Sequence, residues 1–132
     1  MATVVTSSGK AIITNRLKGA GTEPLNASWG TGVGTAAVAD TTLFTEANSA
    51  GAVIGAGARV AGASSQQTTT VASDTYQVVA TISASASFTV TNAGLFDANT
   101  GGTGNLFLKG DFIGIGLNAG DSVQFTIKAQ LT

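Results

Sequence analysis

The chain has 132 residues, a length that predicts one domain around one hydrophobic core. Its six Lys and Arg against seven Asp and Glu give a formal net charge of −1 with no basic stripe, so we expect no direct nucleic-acid partner. The absence of Cys and His excludes Ser-His and Cys-His catalysis and thiolate or imidazole metal sites. We therefore expect no enzyme activity, no cofactor and no metal.

Small residues dominate the composition, since over half of the chain is Ala, Gly, Ser or Thr. Only 10% of the residues are charged and β-branched residues are abundant, which predicts a folded rather than a disordered chain. No apolar run approaches the ~20 residues that span a bilayer, so we expect no membrane partner.

The first predicted elements are an extended arm over residues 1–6 and a short helix within residues 7–19. Ser7 or Ser8 would cap the helix, Ile13 and Leu17 lie one turn apart, and Gly19 follows the basic residues at its end.

From residue 25 the spacing of apolar residues changes to the two-residue alternation of a strand. Residues 25–29 alternate and end at Trp29, before a glycine-rich turn at 30–34. We expect a further extended segment over 36–45, ending at Leu43 and Phe44. The Ala- and Gly-rich stretch 47–63 predicts either a long flexible loop or an inserted hairpin.

The second half carries the clearest strand patterns. Residues 68–73 are rich in β-forming types, and 76–83 places Tyr76, Val78, Ala80 and Ile82 on one face. Phe88 and Val90 continue the pattern, and apolar residues at 95–96 and 106–108 flank a turn over 97–104. The last strand alternates five apolar residues, from Val123 to Leu131, with polar ones. Four of the apolar residues are predicted to face the core: Val123, Phe125, Ile127 and Leu131.

Short strands that recur about every 8–12 residues, separated by Gly, Asn and Asp turns, are typical of a sandwich or jelly roll. We therefore predict an all-β, β-sandwich or jelly-roll-like single domain over 1–132 with one short N-terminal helix.

Three motifs have a functional and a structural interpretation. Asp97 begins a stretch similar to a calcium loop, but position 108 is Leu108 where such a loop needs Glu, so a hairpin turn is the favoured interpretation. The glycine-rich stretch 30–34 lacks the Lys of a phosphate loop and predicts a turn. The seven carboxylates are scattered, and no local pair suggests a catalytic acid and base.

Two places are candidates for contact with another chain. An extended arm can pair with the edge of a neighbour's sheet, or equally within its own subunit. A lone Trp on an alternating strand is usually a core or interface residue, with stacking on a sugar as the alternative. The candidate interface residues are therefore Ala2, Thr3, Val4, Val5, Thr6 and Trp29.

Short motifs in a fixed order cover nearly the whole chain: SGKAIITNRL (8–17), GTEP (21–24), ASWGTG (27–32), DTTLFTE (40–46), RVAG (59–62), DTYQVV (74–79), NAGLFD (92–97), GNLFLKGDF (104–112) and GDSVQF (120–125). This ordered set resembles the head decoration (cement) proteins of tailed bacteriophages. The Gly-Leu-Phe-Asp turn also resembles one in phage tail-fibre and tail-collar proteins.

The resemblance implies a β-sandwich subunit, without an active site, that binds an assembled icosahedral shell as a trimer or dimer. The implied partners are the major capsid protein lattice and further copies of the chain, with a trimer favoured. The implied location is the outer surface of the capsid, assembled in the host cytoplasm.

Two other functions stay open from the sequence. One is a phage tail or tail-fibre component with a receptor or carbohydrate contact. The other is a small carbohydrate-acting enzyme or lectin domain, which the missing His and the few aromatic residues disfavour. Copy number on intact particles would separate head from tail, because a shell protein occurs in hundreds of copies.

Overall fold

Two antiparallel sheets pack face to face in the computed structural model, which describes residues 2–55 and 57–132. Within these residues the larger sheet has the strand order β1 (Thr3–Val5), β8 (Leu106–Leu117), β7 (Phe88–Phe96), β2 (Asn26–Gly30) and β3 (Glu46–Ala47), and β4 (Val60–Ala61) also pairs with β2. The smaller sheet has the order β5 (Ala63–Gln67), β6 (Thr75–Ser83) and β9 (Ser122–Gln130). With the helix α1 (Ser7–Leu17), this confirms the predicted all-β sandwich.

The chain changes sheets twice at one end of the sandwich. The connection from β6 to β7 and the connection from β8 to β9 both cross there, and they are joined to each other. The Ala84 N–H donates to the Asp121 carbonyl, and the Gly120 N–H donates to the Ala84 carbonyl, each at 2.8 Å. Strands β6 and β9 therefore cover the inner faces of β7 and β8.

The core fills the space between the sheets with the inward side chains of β2, β6, β7 and β8. Trp29 lies edge-on to Phe88, with ring centroids 5.3 Å apart, and Tyr76 lies edge-on to Phe107 at 5.8 Å. Full burial of a large apolar side chain contributes about 1.5–3 kcal/mol. The fully buried members of this core include Trp29, Val78, Val90 and Leu95.

The predicted helix is confirmed, but its cap is one residue earlier than expected. Thr6, not Ser7 or Ser8, is the N-cap, because its hydroxyl accepts the Gly9 N–H at 2.9 Å. The helix ends at Leu17 with Lys18 as its C-cap, and the predicted end signal follows at Gly19, whose φ of +88° lies in the left-handed region that favours glycine. Leu17 is 83% exposed and does not face the core.

The alternating strands of the second half are confirmed. On β6, Val78, Ala80 and Ile82 are buried, and β7 and β8 flank a turn as predicted. On β9 the apolar residues from Val123 to Ala129 face the core, but most are only half-buried because β9 is an edge strand. Leu131 was predicted to face the core; it lies beyond β9 and is 65% exposed.

Two predicted extended segments are wrong. Residues 36–45 contain turns rather than a strand, and residues 68–73 also form a turn, with the strand placed earlier at β5. Asp74 accounts for the second case. Its carboxylate accepts the N–H groups of Thr69, Thr70 and Val71, at 2.9 to 3.0 Å, and so closes the turn.

The Ala- and Gly-rich stretch 47–63 is a loop with short pairings at its ends. It begins at β3, forms isolated bridges between Ala47 and Val53 and between Ala58 and Thr100, and returns to the larger sheet at β4. Residue 56 of this stretch lies outside the described residues. Residues 46–54 pair as a short hairpin, since the Asn48 N–H donates to the Ala52 carbonyl and the Ile54 N–H donates to the Glu46 carbonyl, each at 2.8 Å.

Candidate docking surface

A buried lysine fixes the segment 31–45 across the outer face of the larger sheet, the face that points away from the smaller sheet. The Lys109 side chain is 1% exposed, and its Nζ donates to Asp40 Oδ2 at 3.0 Å and to the Thr42 carbonyl at 2.9 Å. The same Nζ lies 3.1 Å from the centroid of the Phe44 ring. A buried cation is tolerated only with such partners. The Ala37 N–H and, after it, Lys109 hold the pKa of Asp40 below its ordinary value.

Strand β7 holds the same segment through two polar side chains. The fully buried Asn92 accepts the Phe44 N–H at 3.0 Å and donates to the Phe44 carbonyl at 3.1 Å. The neighbouring Thr91 hydroxyl donates to the Gly32 carbonyl. The backbone of the segment therefore has its hydrogen bonds supplied by the sheet beneath it, as buried backbone groups require.

Asp111 of β8 joins the segment to the start of the chain. Its Oδ1 accepts the Ala36 N–H at 2.7 Å and the Ala2 N–H at 3.2 Å. Further along, the Ser7 N–H donates to the Val38 carbonyl at 2.8 Å. The segment is thus held along most of its length and presents a fixed surface.

A bulge in β8, opposite the Thr91 that holds Gly32, leaves one apolar side chain exposed. Opposite Thr91, strand β8 carries three residues, Phe112, Ile113 and Gly114. Phe112 turns inward, with its ring 6.1 Å from that of Phe125. Ile113 is 92% exposed. Bulges commonly redirect a side chain in this way.

Three exposed apolar side chains lie on the segment 31–45 and on the β8 bulge, and we call them the outer-face patch (Val33, Val38 and Ile113). Val33 is 87% exposed and follows the residue held by Thr91, while Val38 is 45% exposed. The charged groups that hold the segment point into it and are hydrogen-bonded there. Exposed apolar clusters of this kind mark sites of contact with other proteins.

A second buried ion pair fixes the loops at the other edge of the larger sheet. Arg59 donates through Nε and Nη2 to the two carboxylate oxygens of Glu46, at 2.7 and 3.1 Å. Its Nη1 donates to the carbonyls of Ala98 and Thr103, at 3.0 and 2.9 Å, and its guanidinium lies 3.5 Å from the Phe96 ring centroid. Arg59 therefore joins β3, the 47–63 loop and the β7–β8 turn.

The candidate interface residues of the arm lie in the chain's own larger sheet. Residues Thr3–Val5 form β1 and pair with β8, Val5 packs against the core, and Thr6 is fully buried at the helix cap. This is the alternative in which the arm pairs within its own subunit. Contact between the arm and a second copy stays a prediction.

Trp29 is a core residue and not a surface one. Its side chain is 1% exposed, and its Nε1 donates to the Asn48 carbonyl at 3.2 Å. The assignment of Trp29 to an interface therefore needs correction, because the inward position on β2 fills the space between the sheets.

The stretch that begins at Asp97 is the β7–β8 turn. Asp97 Oδ1 accepts the Asn105 N–H at 2.6 Å, and Oδ2 accepts the Asn105 side-chain N–H at 3.0 Å. Both carboxylate oxygens thus close the turn, as the favoured interpretation expected.

The sequence patterns did not predict the three residues of the outer-face patch. The run Phe-Ile-Gly-Ile-Gly-Leu at 112–117 was assigned to no element from the sequence, although it belongs to a twelve-residue strand. A usable signal was present, since Ile113 and Ile115 alternate with these glycines and leave one face of the strand without side chains.

Acid should remove the contribution of Asp74 to stability. Hydrogen bonds from the N–H groups of Val71, then Thr69 and Thr70, hold the pKa of Asp74 below its ordinary value of 3.8. A lowered folded-state pKa means that the stabilisation is complete above the unfolded-state pKa and is lost as the pH falls below it. We expect wild type to melt above Asp74→Asn by a constant margin from about pH 7 to about pH 5, and by a shrinking margin below about pH 4. A margin that stays constant down to about pH 2 would contradict this assignment.

Comparison of the chain with protein-family models, with curated proteins and with solved structures found no match. Of the residues that the structure describes, none lie in a helix with the length and apolar character needed to cross a membrane. The fold defines the chain as an all-β sandwich, and exposed apolar side chains lie on the outer face of its larger sheet.

Proposed function

We propose that this chain is a non-enzymatic virion structural protein that binds the assembled capsid shell of a tailed bacteriophage and stabilises it, as a decoration protein. The observation that carries the proposal is the outer-face patch, in which Val33 stands in solvent on a segment fixed by hydrogen bonds and Ile113 stands in solvent on the β8 bulge. A rigid apolar anchor binds a matching protein surface without an ordering cost. The resemblance of the ordered motifs to decoration proteins supports the same function.

The physical effect of such binding would come from repetition. Each subunit would place one small apolar patch across neighbouring capsid proteins on the virion surface. Many modest contacts over a lattice give an avidity that one contact does not supply. A chain with few charges and many small residues suits close contact with a protein lattice.

Self-association, as a trimer or alternatively a dimer, belongs to the same proposal. The arm is already paired with β8, and β9, an edge strand of the smaller sheet, offers an edge to a second copy. Its nine residues carry one charged side chain, Lys128, and three half-buried apolar ones. An exposed edge strand of this kind pairs readily with another chain.

The test is cosedimentation with phage particles stripped of their decoration protein. Ile113→Asp should lower the apparent affinity at least about tenfold, because it places a charge at the most exposed residue of the patch. Val71→Asp is the matched control, since Val71 is 65% exposed but lies in the turn before β6. Both variants should melt like wild type, as exposed substitutions usually do. Equal binding by Ile113→Asp and wild type would contradict the proposal.

One observation favours a second candidate, a tail or tail-fibre component with a carbohydrate contact. A cavity of about 290 Å³ beside α1 is lined mostly by small polar side chains: Ser8, Asn15, Thr22, Asp97 and Asn105. Hydroxyl and amide groups around a small cavity suit a hydroxyl-rich ligand. Copy number separates the candidates, because hundreds of copies per particle indicate the shell and a handful indicate the tail.

A further inference from the structure

A groove of about 480 Å³ lies between α1 and one end of the smaller sheet, and it involves none of the three patch residues. Ile13, Arg16 and Leu17 of α1 line one side, and Tyr76 and Leu131 belong to the other. Leu17 is 83% and Leu131 is 65% exposed. Two large apolar side chains are thus held in water on either side of a largely apolar groove, where a partner's side chain would cover both.

Some polar groups of the groove have hydrogen-bond partners within the chain, and others have free donors. The Tyr76 hydroxyl donates to Glu23 Oε1 at 3.1 Å, so one oxygen of this carboxylate is already engaged. Burial, and after it Glu23, raise the pKa of Tyr76, which keeps this hydroxyl a donor. Arg16 donates through Nη1 to the Gly21 carbonyl at 2.9 Å and, among residues 2–55 and 57–132, forms no ion pair. Four of its five N–H donors remain for a ligand.

The exposed cationic side chains of the chain are also unevenly distributed, and most of them lie on the helix beside this groove. Two of the six cationic side chains, Arg59 and Lys109, are buried in ion pairs. Three of the others, Lys10, Arg16 and Lys18, lie on α1 or at its C-cap and are exposed. Lys10 precedes Leu17 by seven residues, and it therefore lies on the same helix face. The exposed positive charge of a chain with net charge −1 is concentrated beside the groove.

We propose that this groove binds an extended segment of a partner protein in which an apolar side chain is flanked by Asp or Glu. The apolar side chain would lie between Leu17 and Leu131, and a flanking carboxylate would accept from Arg16. Complementary charge directs such a segment to the helix, and the apolar contact holds it. The inference does not depend on the outer-face patch.

Fluorescence anisotropy with three labelled peptides tests the proposal on the full chain. The probe is Gly-Ser-Asp-Leu-Phe-Asp-Ser-Gly, compared with a version that has Lys for both Asp and one that has Ala for Leu and Phe. We expect the probe to bind at least about tenfold more tightly than either comparison peptide, and to weaken as salt is raised.

Variants of the chain then test whether the probe binds in the groove. Arg16→Glu and Leu17→Ser should each weaken the probe at least about fivefold. Lys128→Glu is the control for the charge change, and Val71→Ser is the control for the loss of an exposed apolar side chain; both should bind like wild type. Amide chemical shifts should move in α1 and near Tyr76 when the probe is added.

Three outcomes would overturn the proposal. One is equal binding of the Asp and Lys peptides, and another is an Arg16→Glu effect no larger than that of Lys128→Glu. The third is a Leu17-dependent dimer in light scattering, which would make a second copy the occupant. Each leaves the capsid proposal standing, because that proposal depends on Ile113.

Discussion

Replacing Arg59 with methionine is expected to lower the free energy of unfolding by about 3–5 kcal/mol. Methionine keeps much of the apolar bulk but removes every hydrogen bond of the guanidinium. Glu46, whose side chain is only 8% exposed, would then hold a charge without its partner, and two loop carbonyls would lose their donor. The loss is a large share of the ~5–15 kcal/mol that stabilises a typical domain. Urea unfolding followed by Trp29 fluorescence measures it.

A double variant separates the buried charge from the rest of the effect. Arg59→Met with Glu46→Met should be more stable than Arg59→Met alone, because no unpaired carboxylate remains. Arg16→Met is the matched control, since Arg16 is exposed, and it should change stability by less than about 0.5 kcal/mol. An Arg59→Met loss below about 1 kcal/mol would show that the ion pair is not a structural clamp.

Replacing Gly9 with alanine is expected to cost about 2–3 kcal/mol, although Ala is the better helix former. Helix propensity alone would favour Ala by about 1 kcal/mol. A Cβ at this position, however, would lie 2.1 Å from the Phe107 carbonyl oxygen, which is backbone and cannot rotate away. Thr6 bonds the start of the helix to the same carbonyl, so α1 cannot move outward without losing its cap. The clash therefore outweighs the propensity.

Gly116→Ala supplies the comparison for this substitution. A Cβ there would meet no atom within 4 Å, and its backbone φ is not positive. We expect the change to be neutral, or to stabilise the strand by up to about 1 kcal/mol. Thermal melting of both variants is sufficient. A Gly9→Ala protein that melts at or above wild type would mean that α1 is not packed this closely on β8.

Sequence patterns predicted the elements whose structure depends on their own residues. Strands β6 and β9 each bury one face, and their period of two is visible without any neighbour. The helix was predicted because its Gly19 end signal is local. Residues 36–45 were misjudged because side chains about 50 to 70 positions further on, Asn92 and Lys109, determine their path. No local pattern contains that information.

The candidate surface was harder to predict than the fold, for a related reason. Exposure of Ile113 depends on a bulge, and the bulge is defined by the register between β7 and β8. In a linear pattern an isoleucine within an apolar run indicates burial. Trp29 shows the converse, since its side chain was assigned to an interface although packing between the sheets encloses it. Both errors concern which side of a strand meets water.

The pairing of β1 with β8 also constrains the order in which the molecule folds during synthesis. The Thr6 hydroxyl bonds to a carbonyl 100 residues further along the chain, and α1 packs against the same strand. Neither element has its partner until the ribosome has released residues 106–110. Such long-range pairing is formed late and slowly in all-β proteins, typically in milliseconds to seconds. The first strand to be made is thus among the last to be paired, and a nascent chain stalled before Leu106 would leave β1 and the inner side of α1 open to chaperones and to other chains.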